Sequence, residues 1–274
     1  MPELPEVETV RRTLEKLVGE RITSMAVGRK GLHMARKPPR GALRKLIGAR
    51  ITGLRRIGKY LLVDTDRPES ILAHLGMTGR LRIHRKGDPR ASHTHLVIGL
   101  GDRELRFVDP RRFGQIDVVT RPNERDHGGL AVLGPDPVTE GVDTRLLFTI
   151  AKQRKVSLKA LVLDQGVIAG MGNIYASEAL WRARLRPTTR SYRLTARSTA
   201  KLAAAVREVL ARAIDHNGTT FSDFVDADGR EGDNEEYLWV YGREGLPCRR
   251  CRTAIRKSVQ QGRATYYCPT CQTP

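Results

Sequence analysis

Residues 50–75 read RITGLRRIGKYLLVDTDRPESILAHL and carry the clearest fold signal in the chain. Three short apolar runs lie at 50–57, 60–65 and 70–75, and turns containing glycine or proline separate them. Runs of this length, rich in leucine and β-branched residues and bounded by turn formers, are typical of strands rather than helices. The stretch therefore predicts three consecutive β-strands.

The same pattern continues on both sides of this stretch. Short strands punctuated by glycine and proline favour a β-sandwich or a barrel. Two helices are predicted beside the strands, one at 4–17, where leucine and valine recur at steps of three and four, and one at 39–47. The further strands are predicted at 21–27, 80–84, 95–100, 104–108 and 115–119.

Beyond the strands, residues 120–142 are rich in proline, glycine and acidic residues, which predicts a linker. The pattern then turns helical and is clearest at 195–217. Two shorter helices, at 157–164 and 172–183, flank the sequence QGVIAG at 165–170. A helix, a glycine-bounded turn and a second helix form a recognised arrangement for contacting DNA.

All four cysteines lie near the C-terminus, as Cys248, Cys251, Cys268 and Cys271. Their spacing, two Cys-x-x-Cys pairs 16 residues apart, falls in the range of four-thiolate zinc sites. The alternatives are two disulfides or four free thiols, and a reducing compartment argues against disulfides. Because four protein ligands leave no open position on the metal, the spacing predicts one structural zinc ion rather than a catalytic one.

The charge of the chain points to a polyanion as its partner. The 274 residues include 49 Lys and Arg against 30 Asp and Glu, which gives a net charge of +19, and 38 of the basic residues are arginines. These arginines occur along the whole chain, and their planar groups bind phosphate in a bidentate way. No apolar run is long enough to span a membrane, and the N-terminus has no secretory signal, so we expect a cytoplasmic protein.

The N-terminus carries a chemical possibility of its own. Met1 precedes a small residue and is expected to be removed, which leaves a free secondary amine on Pro2. An α-amino group has a pKa of about 7.7–8.0, so roughly a tenth of it is neutral and nucleophilic at pH 7. A secondary amine that attacks an electrophilic carbon forms a cationic iminium, and Glu3 and Glu6 lie beside it in sequence to move protons.

The residues PELPEVETVRR at 2–12 resemble the N-terminus of the bacterial formamidopyrimidine-DNA glycosylases, which excise 8-oxoguanine and ring-opened purines. With the cysteine spacing, the resemblance covers essentially the whole chain. The further segments that resemble this family occur in its order and read HLGM at 74–77, DPRRFG at 109–114, GNIYASE at 172–178, VYG at 240–242 and RATYYC at 263–268.

The resemblance implies an α+β multidomain chain. It combines an N-terminal antiparallel β-sandwich flanked by helices with a helix–two-turns–helix domain and a C-terminal zinc β-ribbon. The implied segments are a catalytic domain at 1–134, a linker at 135–142, the helix–two-turns–helix domain at 143–224, a lesion-capping loop and connection at 225–245, and a four-cysteine zinc finger at 246–274.

The resemblance also implies a reaction. Pro2 attacks C1′ of the damaged nucleotide and displaces the base, and the iminium then drives β- and δ-elimination of the strand. Glu3 is the implied acid–base group and Glu6 supports it. Lys59 and Arg263 match family residues that bind phosphate at the reacting nucleotide, so they belong to the implied catalytic set.

Further positions match the family's contacts to DNA. A flipped base leaves a gap in the duplex, and Met77, Arg111 and Phe113 match the residues that fill it. Backbone contacts are implied for His74, Lys159, Asn173 and Tyr241. Glu178 is interpreted as a residue that orients the DNA-binding turn.

One stretch departs from the family pattern. Residues 230–236 read REGDNEE, where the family often carries an aromatic run that caps the everted purine. The departure leaves open how the chain ranks 8-oxoguanine against ring-opened purines. Backbone N–H groups of the loop can still cap a base, because they do not depend on side chains.

Three functions remain as hypotheses at this point. The first is the bifunctional glycosylase and abasic-site lyase described above, acting as a nucleoid-associated monomer on double-stranded DNA with a damaged base, with zinc and no organic cofactor. The second is a related endonuclease VIII-like enzyme for oxidised pyrimidines. The third is a non-catalytic zinc protein that binds damaged DNA, which has no need of the Pro2 amine or Glu3.

Overall fold

The computed structural model describes residues 2–28, 39–221 and 224–273. Met1, whose removal the sequence predicts, lies outside this range. The chain forms two compact units. The first contains the residues up to Ala131 together with His216–Asp233, and the second contains Val132–Asp215 and Asn234 onward.

The first unit contains two four-stranded antiparallel sheets, and all eight predicted strands are confirmed. In the first sheet, successive strands form hairpins and one edge strand joins from later in the chain, whereas the second sheet has one central hairpin and two edge strands that join from elsewhere. The first sheet runs β2 (Ile51–Ile57), β3 (Tyr60–Thr65), β4 (Glu69–His74) and β8 (Gln115–Thr120), and the second runs β1 (Ser24–Val27), β6 (Thr94–Leu100), β7 (Arg103–Val108) and β5 (Arg80–Arg85).

Side chains from both sheets share one hydrophobic core, which makes the unit a sandwich. Leu61 and Val63 of β3 and Leu105 and Phe107 of β7 enter it, at the alternate positions that face one side of a strand. Burying each such side chain contributes about 1.5–3 kcal/mol relative to leaving it in water.

The first helix, α1 (Leu4–Leu14), packs its apolar face on this core through Val7, Val10 and Leu14 and continues into a 3₁₀ turn, Glu15–Leu17. The predicted helix at 39–47 is α2 (Arg40–Lys45). The linker predicted at 120–142 is wrong in its first part. A 3₁₀ helix, Arg121–Asp126, and a short helix, α3 (Gly128–Ala131), lie there. Leu130 is fully buried, so apolar packing overrides the polar composition around it.

The second unit is helical, with a small C-terminal hairpin. The three predicted helices are confirmed as α5, α6 and α7, and a further helix, α4, precedes them. The bounds are α4 (Thr144–Gln153), α5 (Leu158–Leu163), α6 (Asn173–Arg182) and α7 (Ala196–Asp215), with 3₁₀ turns at Ser191–Arg193 and Asn234–Tyr237 and a hairpin of β9 (Arg256–Gln260) and β10 (Arg263–Tyr267).

Residues 216–233 return to the first unit between two parts of the second. The sequence-based segments at 143–224 and 225–245 do not anticipate this return, and those boundaries stay a prediction. In the part of the chain that the structure describes, no helix has both the length and the apolar character to cross a lipid bilayer.

Candidate active site and nucleic-acid interface

The N-terminal residues of the first unit are buried rather than frayed. Glu3 and Glu6 are 2% and 1% exposed, and they form a reciprocal capping box at the start of α1. The Glu6 carboxylate accepts the backbone N–H of Glu3 at 2.7 Å. Because this bond fixes the backbone beside Pro2, the Pro2 nitrogen and the Glu3 side chain are held in a defined place.

The returning segment is tied to the same carboxylate. The backbone N–H of Thr219 donates to Glu6 Oε1 at 2.8 Å. Gly218 has a φ of +80°, and a Cβ atom at this position would lie 2.9 Å from Glu6 Oε1. A glycine is therefore required for the approach, and Glu6 joins the N-terminus to residues 216–221.

Buried ion pairs attach α1 to the hairpin that carries Lys59. Arg56 donates to Glu8 Oε2 at 3.1 Å and to the carbonyl of Gly58 at 3.1 Å. Burial raises the pKa of Glu8, but the guanidinium groups of Arg11 and Arg56 outweigh it and lower the pKa below its ordinary value. Since Gly58 precedes Lys59, this network sets the position of Lys59 relative to the helix that begins beside Pro2.

His74 ends β4 next to this hairpin. Its ring lies 4.8 Å from the Tyr60 ring, and its Nδ1 accepts the backbone N–H of Gly76 at 3.2 Å. Burial and the charge of Lys59 lower the pKa of His74 from 6.5 to about 4. The ring is therefore neutral at pH 7, and Nε2 carries the proton, so it can donate to a phosphate without being charged.

The three residues predicted to fill the gap in DNA lie on two loops of the first unit. Met77 and Phe113 are 38% and 53% exposed, which is unusual for large apolar side chains. The Arg111 guanidinium lies 4.9 Å from the centre of the Phe113 ring. An exposed methionine and phenylalanine beside an arginine suit insertion between bases.

Asp109 holds these two loops together. It is fully buried, accepts the Gly114 N–H at 2.7 Å and accepts the Thr78 hydroxyl at 2.6 Å. The Thr78 oxygen in turn accepts the backbone N–H of Arg111 at 3.2 Å. A Cβ atom on Gly76 would meet the Phe113 backbone at 2.5 Å, so the loops are in direct contact.

Asn173 begins α6 in the second unit, as predicted, where backbone N–H groups favour an anion. The turn before it is organised by Gln165. Its side chain accepts the Gly170 N–H at 3.0 Å and donates to the carbonyls of Leu163 and Met171 at 3.0 and 2.8 Å. Gln165 therefore positions the start of α6, a role that the sequence pattern does not indicate.

Tyr241 is positioned by Glu178. The buried Glu178 carboxylate accepts the backbone N–H groups of Trp239, Val240 and Tyr241 at 2.8–2.9 Å. Burial raises the pKa of Glu178, while these three N–H donors favour its ionised form. Its orienting role thus acts on the turn at 239–241, from which the Tyr241 hydroxyl reaches to 3.4 Å of the Asn173 amide nitrogen.

Lys159, for which a DNA contact is predicted, is buried inside the second unit. Its side chain is 1% exposed, and its ammonium donates to the Ala264 carbonyl at 2.7 Å and to the Thr265 hydroxyl at 2.6 Å. The Asn173 amide donates to the same Ala264 carbonyl at 3.0 Å. Both side chains thereby hold the start of β10, where the exposed Arg263 lies.

The four cysteines fit one structural zinc ion. All four sulfur atoms lie within 4.8 Å of one another, and the pairs Cys248–Cys271 and Cys251–Cys268 are 3.9 and 3.4 Å apart. Zn–S bonds of about 2.3 Å in a tetrahedron place sulfurs about 3.8 Å apart. Trp181, Val240 and Ile255 pack against the cysteines, so the cluster lies in the hydrophobic core of the C-terminal hairpin.

The structure thus brings the predicted residues into two groups, one in each unit. Lys59, His74, Met77, Arg111 and Phe113 accompany the N-terminal residues in the first unit, and Asn173, Tyr241, Arg263 and the cysteines belong to the second. Four residues that support them received no role from the sequence, although all of them lie within segments quoted above. These supporting residues are Glu8, Arg56, Asp109 and Gln165.

Comparison with known families matches three successive parts of the chain. Residues 1–116 match the formamidopyrimidine-DNA glycosylase N-terminal domain, and residues 133–225 match the H2TH domain of the same enzymes. Residues 245–274 match a zinc finger found in these glycosylases and in isoleucyl-tRNA synthetases.

Individual relatives align over the full length. A formamidopyrimidine-DNA glycosylase of Heliobacterium modesticaldum is 43% identical over 99% of this chain and 100% of its own. The crystal structure of the Thermus thermophilus protein has a TM-score of 0.88 at 41% identity and covers 99% of this chain and 98% of that one. A Lactococcus lactis variant in complex with Fapy-dG-containing DNA has a TM-score of 0.92 at 34% identity, with both chains covered completely.

Proposed function

We propose a function from the premise that this chain belongs to the formamidopyrimidine-DNA glycosylase family, which its family matches and full-length relatives establish. The chain is a base-excision-repair DNA glycosylase that removes oxidised or ring-opened purines. The observation that carries this function is the buried N-terminus, where Glu6 fixes the backbone of Glu3 beside Pro2.

We propose that the Pro2 nitrogen is the nucleophile. Its lone pair forms the bond to C1′ as the bond from C1′ to the base breaks, and the base leaves with that electron pair and a proton. Opening of the sugar ring, with a proton delivered to the ring oxygen, leaves an iminium between the nitrogen and C1′. Glu3 moves these protons, since it is the adjacent carboxyl group on the same fixed backbone.

The lyase step follows from the iminium and is typical of the family. The cation draws electrons from C1′, so loss of a proton from C2′ expels the 3′ phosphate. A second elimination then expels the 5′ phosphate. Lys59 and Arg263 are proposed to bind phosphate at the reacting nucleotide, with Glu6 supporting the N-terminus through the Glu3 and Thr219 N–H groups.

DNA recognition is proposed to use the remaining predicted residues. Met77 and Phe113 fill the gap that the flipped base leaves, and Arg111 faces the orphaned partner base. His74, Asn173 and Tyr241 bind the backbone. Lys159 has a positioning role, because its buried ammonium holds the Ala264 carbonyl next to Arg263.

The zinc ion and the domain boundaries complete the proposal. One zinc ion on the four cysteines holds the hairpin that carries Arg263, and no step of the reaction passes through it. We propose the catalytic, helix–two-turns–helix, capping and zinc segments as divided by sequence at 134, 142, 224 and 245. The protein acts as a monomer on nucleoid DNA in the cytoplasm without an organic cofactor, since one chain carries every residue invoked.

Two alternatives differ in the lesion or in the chemistry. A Lactococcus lactis relative has been solved with an oxidised pyrimidine in DNA, so pyrimidine lesions are a second class of substrate to test. A non-catalytic binder of damaged DNA explains the zinc and Asn173 but gives no reason for a buried Glu3 beside Pro2.

Borohydride trapping tests the proposal. The protein is incubated with duplexes that carry 8-oxoguanine opposite cytosine, an oxidised pyrimidine or an abasic site, then reduced and digested with trypsin. DNA attached to the peptide from Pro2 to Arg11 in the 8-oxoguanine reaction supports both the nucleophile and the removal of Met1. A cross-link only with the pyrimidine favours the second alternative, and no cross-link with any duplex favours the non-catalytic binder.

A further inference from the structure

A basic cleft of about 550 Å³ lies in the second unit, between the end of α6, the start of α7 and the cysteine cluster. Four cationic side chains line it, together with one serine, three threonines, two cysteines and two apolar residues. In the described chain, no aspartate or glutamate lines it. The cationic residues are Arg184, Arg197, Lys201 and Arg250.

Guanidinium, ammonium and hydroxyl groups without a carboxylate are the donor set that binds phosphate. Arg184, Arg197 and Lys201 are exposed and form no ion pair with any residue that the structure describes. Arg184 and Lys201 also line a neighbouring cleft, where the carboxylate of Glu208 pairs with Arg182 at 2.7 Å. The positive charge of the basic cleft is therefore available to a ligand.

The backbone at Arg184 allows this cation to be removed without strain. Arg184 has a φ of +61°, in the left-handed region where glycine is favoured at the end of a helix. The Arg184 N–H donates to the Trp181 carbonyl at 3.0 Å, and the Leu185 N–H donates to the Leu180 carbonyl at 2.9 Å. Glycine would close the helix at lower conformational cost, so Arg184→Gly removes a cation from the cleft without adding backbone strain.

The zinc cluster accounts for only part of this charge. Cys251 and Cys271 line the cleft, and four thiolates on one zinc ion carry a net charge of −2. Four cations exceed that charge by two. Arg250 is also committed to packing, since it lies 4.3 Å from the Trp181 ring centre.

The cleft is separate from the proposed contact at Asn173. Asn173 begins α6, whereas Arg184 follows its last residue, Arg182. A helix of ten residues is about 15 Å long, so the two ends of α6 are that far apart. A duplex carries one phosphate per about 1.7 Å of its axis, so DNA bound at the Asn173 end has further phosphates within about 15 Å of that contact.

We propose that this cleft is a second phosphate-binding site, which holds the nucleic-acid backbone outside the contacts to the damaged nucleotide. It adds sequence-independent affinity and does not take part in base removal. The choice of DNA as ligand rests on the proposed function, and the experiment below separates the two.

The test compares Arg184→Gly/Arg197→Ala with Arg145→Ala/Arg207→Ala, a charge-matched control in exposed arginines of α4 and α7 that do not line the cleft. Affinity for an undamaged duplex of about 40 base pairs is measured from about 50 to 300 mM KCl. In the cleft variant we expect the slope of log affinity against log salt to fall by about 1.8 and the affinity by about tenfold, because two phosphate contacts are lost. Equal losses in the control variant overturn the proposal.

Three further readouts keep the result specific. The thermal midpoint of Arg184→Gly is expected to be unchanged or higher, since glycine relieves the left-handed strain, so lost affinity cannot be ascribed to unfolding. Zinc content is expected to be unchanged; loss of zinc with full DNA affinity would assign the cations to the cysteine cluster and overturn the proposal. Excision from a duplex of about 12 base pairs at saturating enzyme is expected to be unchanged in the cleft variant.

Further measurements distinguish DNA from other ligands of the cleft, and failure of this proposal from failure of the proposed function. If low-millimolar inorganic phosphate displaces DNA from the unmodified protein but not from the cleft variant, the cleft binds a free anion rather than the nucleic-acid backbone. If the unmodified protein binds a glutamate-rich peptide, the variant does not, and the salt dependence of DNA binding is the same in both, the cleft binds an acidic protein. If the unmodified protein excises no base at all, the proposed function fails while the salt slopes still report on the cleft.

Discussion

Buried carboxylates accept backbone N–H groups in both units, as Glu178 does in the second, but the structures that support them differ. In the first, buried carboxylates such as Glu6 and Asp109 accept backbone N–H groups of loops that rest on a core shared by two sheets. In the second, Arg263 lies on a hairpin of two five-residue strands whose hydrophobic cluster includes the cysteines themselves. A pair of short strands has too small a core to fold alone, so the metal supplies what the sandwich supplies in the first unit.

Removing the zinc ion tests this difference between the units, and its effect is expected to be the largest. A chelator, or Cys268→Ala, is expected to unfold the hairpin and to lower affinity for lesion-containing DNA by about 100-fold or more, because structural zinc supplies about 10–16 kcal/mol of folding free energy. The sandwich should remain folded. Both tryptophans of the chain, Trp181 and Trp239, pack on the cysteine cluster, so their fluorescence reports the surroundings of that cluster in the second unit.

Hydrogen exchange of β2–β4 reports the sandwich in the same samples. Loss of protection in these strands on chelation would contradict the independence of the two units. Retention of lesion binding without zinc would show that the hairpin is not part of the DNA surface.

Glu3→Gln tests the catalytic half of the comparison. We expect the rate of base excision to fall by about 10²- to 10⁴-fold, the usual contribution of a positioned acid–base group, while lesion binding changes little. Single-turnover excision and binding to the uncleaved duplex measure the two effects. Glu15→Gln, on the exposed side beyond α1, is the control and should leave both unchanged. A rate loss below about threefold would remove Glu3 from the proposed chemistry.

The sequence predicted most elements of both units, apart from the helices at 121–131 and α4, because their signals are local. Strands such as β3 are marked by apolar runs between turn formers, and the four cysteines are marked by spacing alone. The residues that fix the site are a different matter. Glu8 and Arg56 are 48 positions apart and Glu6 and Thr219 are 213 apart, so no local pattern connects them.

Lys159 is a residue for which the sequence predicted a role but could not predict the burial of the side chain. Its match to a family position predicted a DNA contact, but only the fold reveals that the ammonium points into the unit and is held by Ala264 and Thr265. A basic residue in a basic chain gives no sequence signal that separates a surface cation from a buried one.

Lys159→Met therefore tests positioning rather than contact. The change leaves the Ala264 carbonyl and the Thr265 hydroxyl without their buried donor, which is expected to cost about 2–3 kcal/mol of unfolding free energy and to weaken DNA binding through Arg263. Denaturant unfolding followed by tryptophan fluorescence measures the first effect. Lys155→Met, at an exposed position just before α5, is the control. A binding loss without a stability loss would restore the direct contact to DNA.

Gly218→Ala tests the contact between residues 216–221 and Glu6 in the first unit, and its effect is expected to be smaller. The new methyl group needs space 2.9 Å from Glu6 Oε1 and a φ of +80°, so we expect destabilisation of about 1–2 kcal/mol and excision slowed by about tenfold. Gly19→Ala separates the two causes, because Gly19 has a φ of +93° and nothing within 4 Å of its Cβ position. If both variants excise at the same rate, the Glu6 contact has no catalytic importance.

His74 gives the smallest effect and depends on pH. Its pKa is lowered to about 4 in the folded protein, from an ordinary value of 6.5, by burial and by Lys59. Between these two values the unfolded chain binds more protons than the folded chain, so His74 lowers stability as the pH falls from about 6.5 towards 4. Above pH 6.5 it has no effect, and phosphate binding through the neutral Nε2–H should show no inflection between pH 6 and 8.

Proton NMR of the His74 ring measures this pKa directly, and urea unfolding at several pH values measures the linkage. His74→Gln should weaken the pH dependence of stability below 6.5, because glutamine does not titrate. Lys59→Met should raise the pKa of His74 only in part, since burial is the larger cause and remains. A ring inflection near 6.5 in the intact protein would mean that His74 is open to water, and that the loops around Gly76 are packed less closely than the Asp109 network implies.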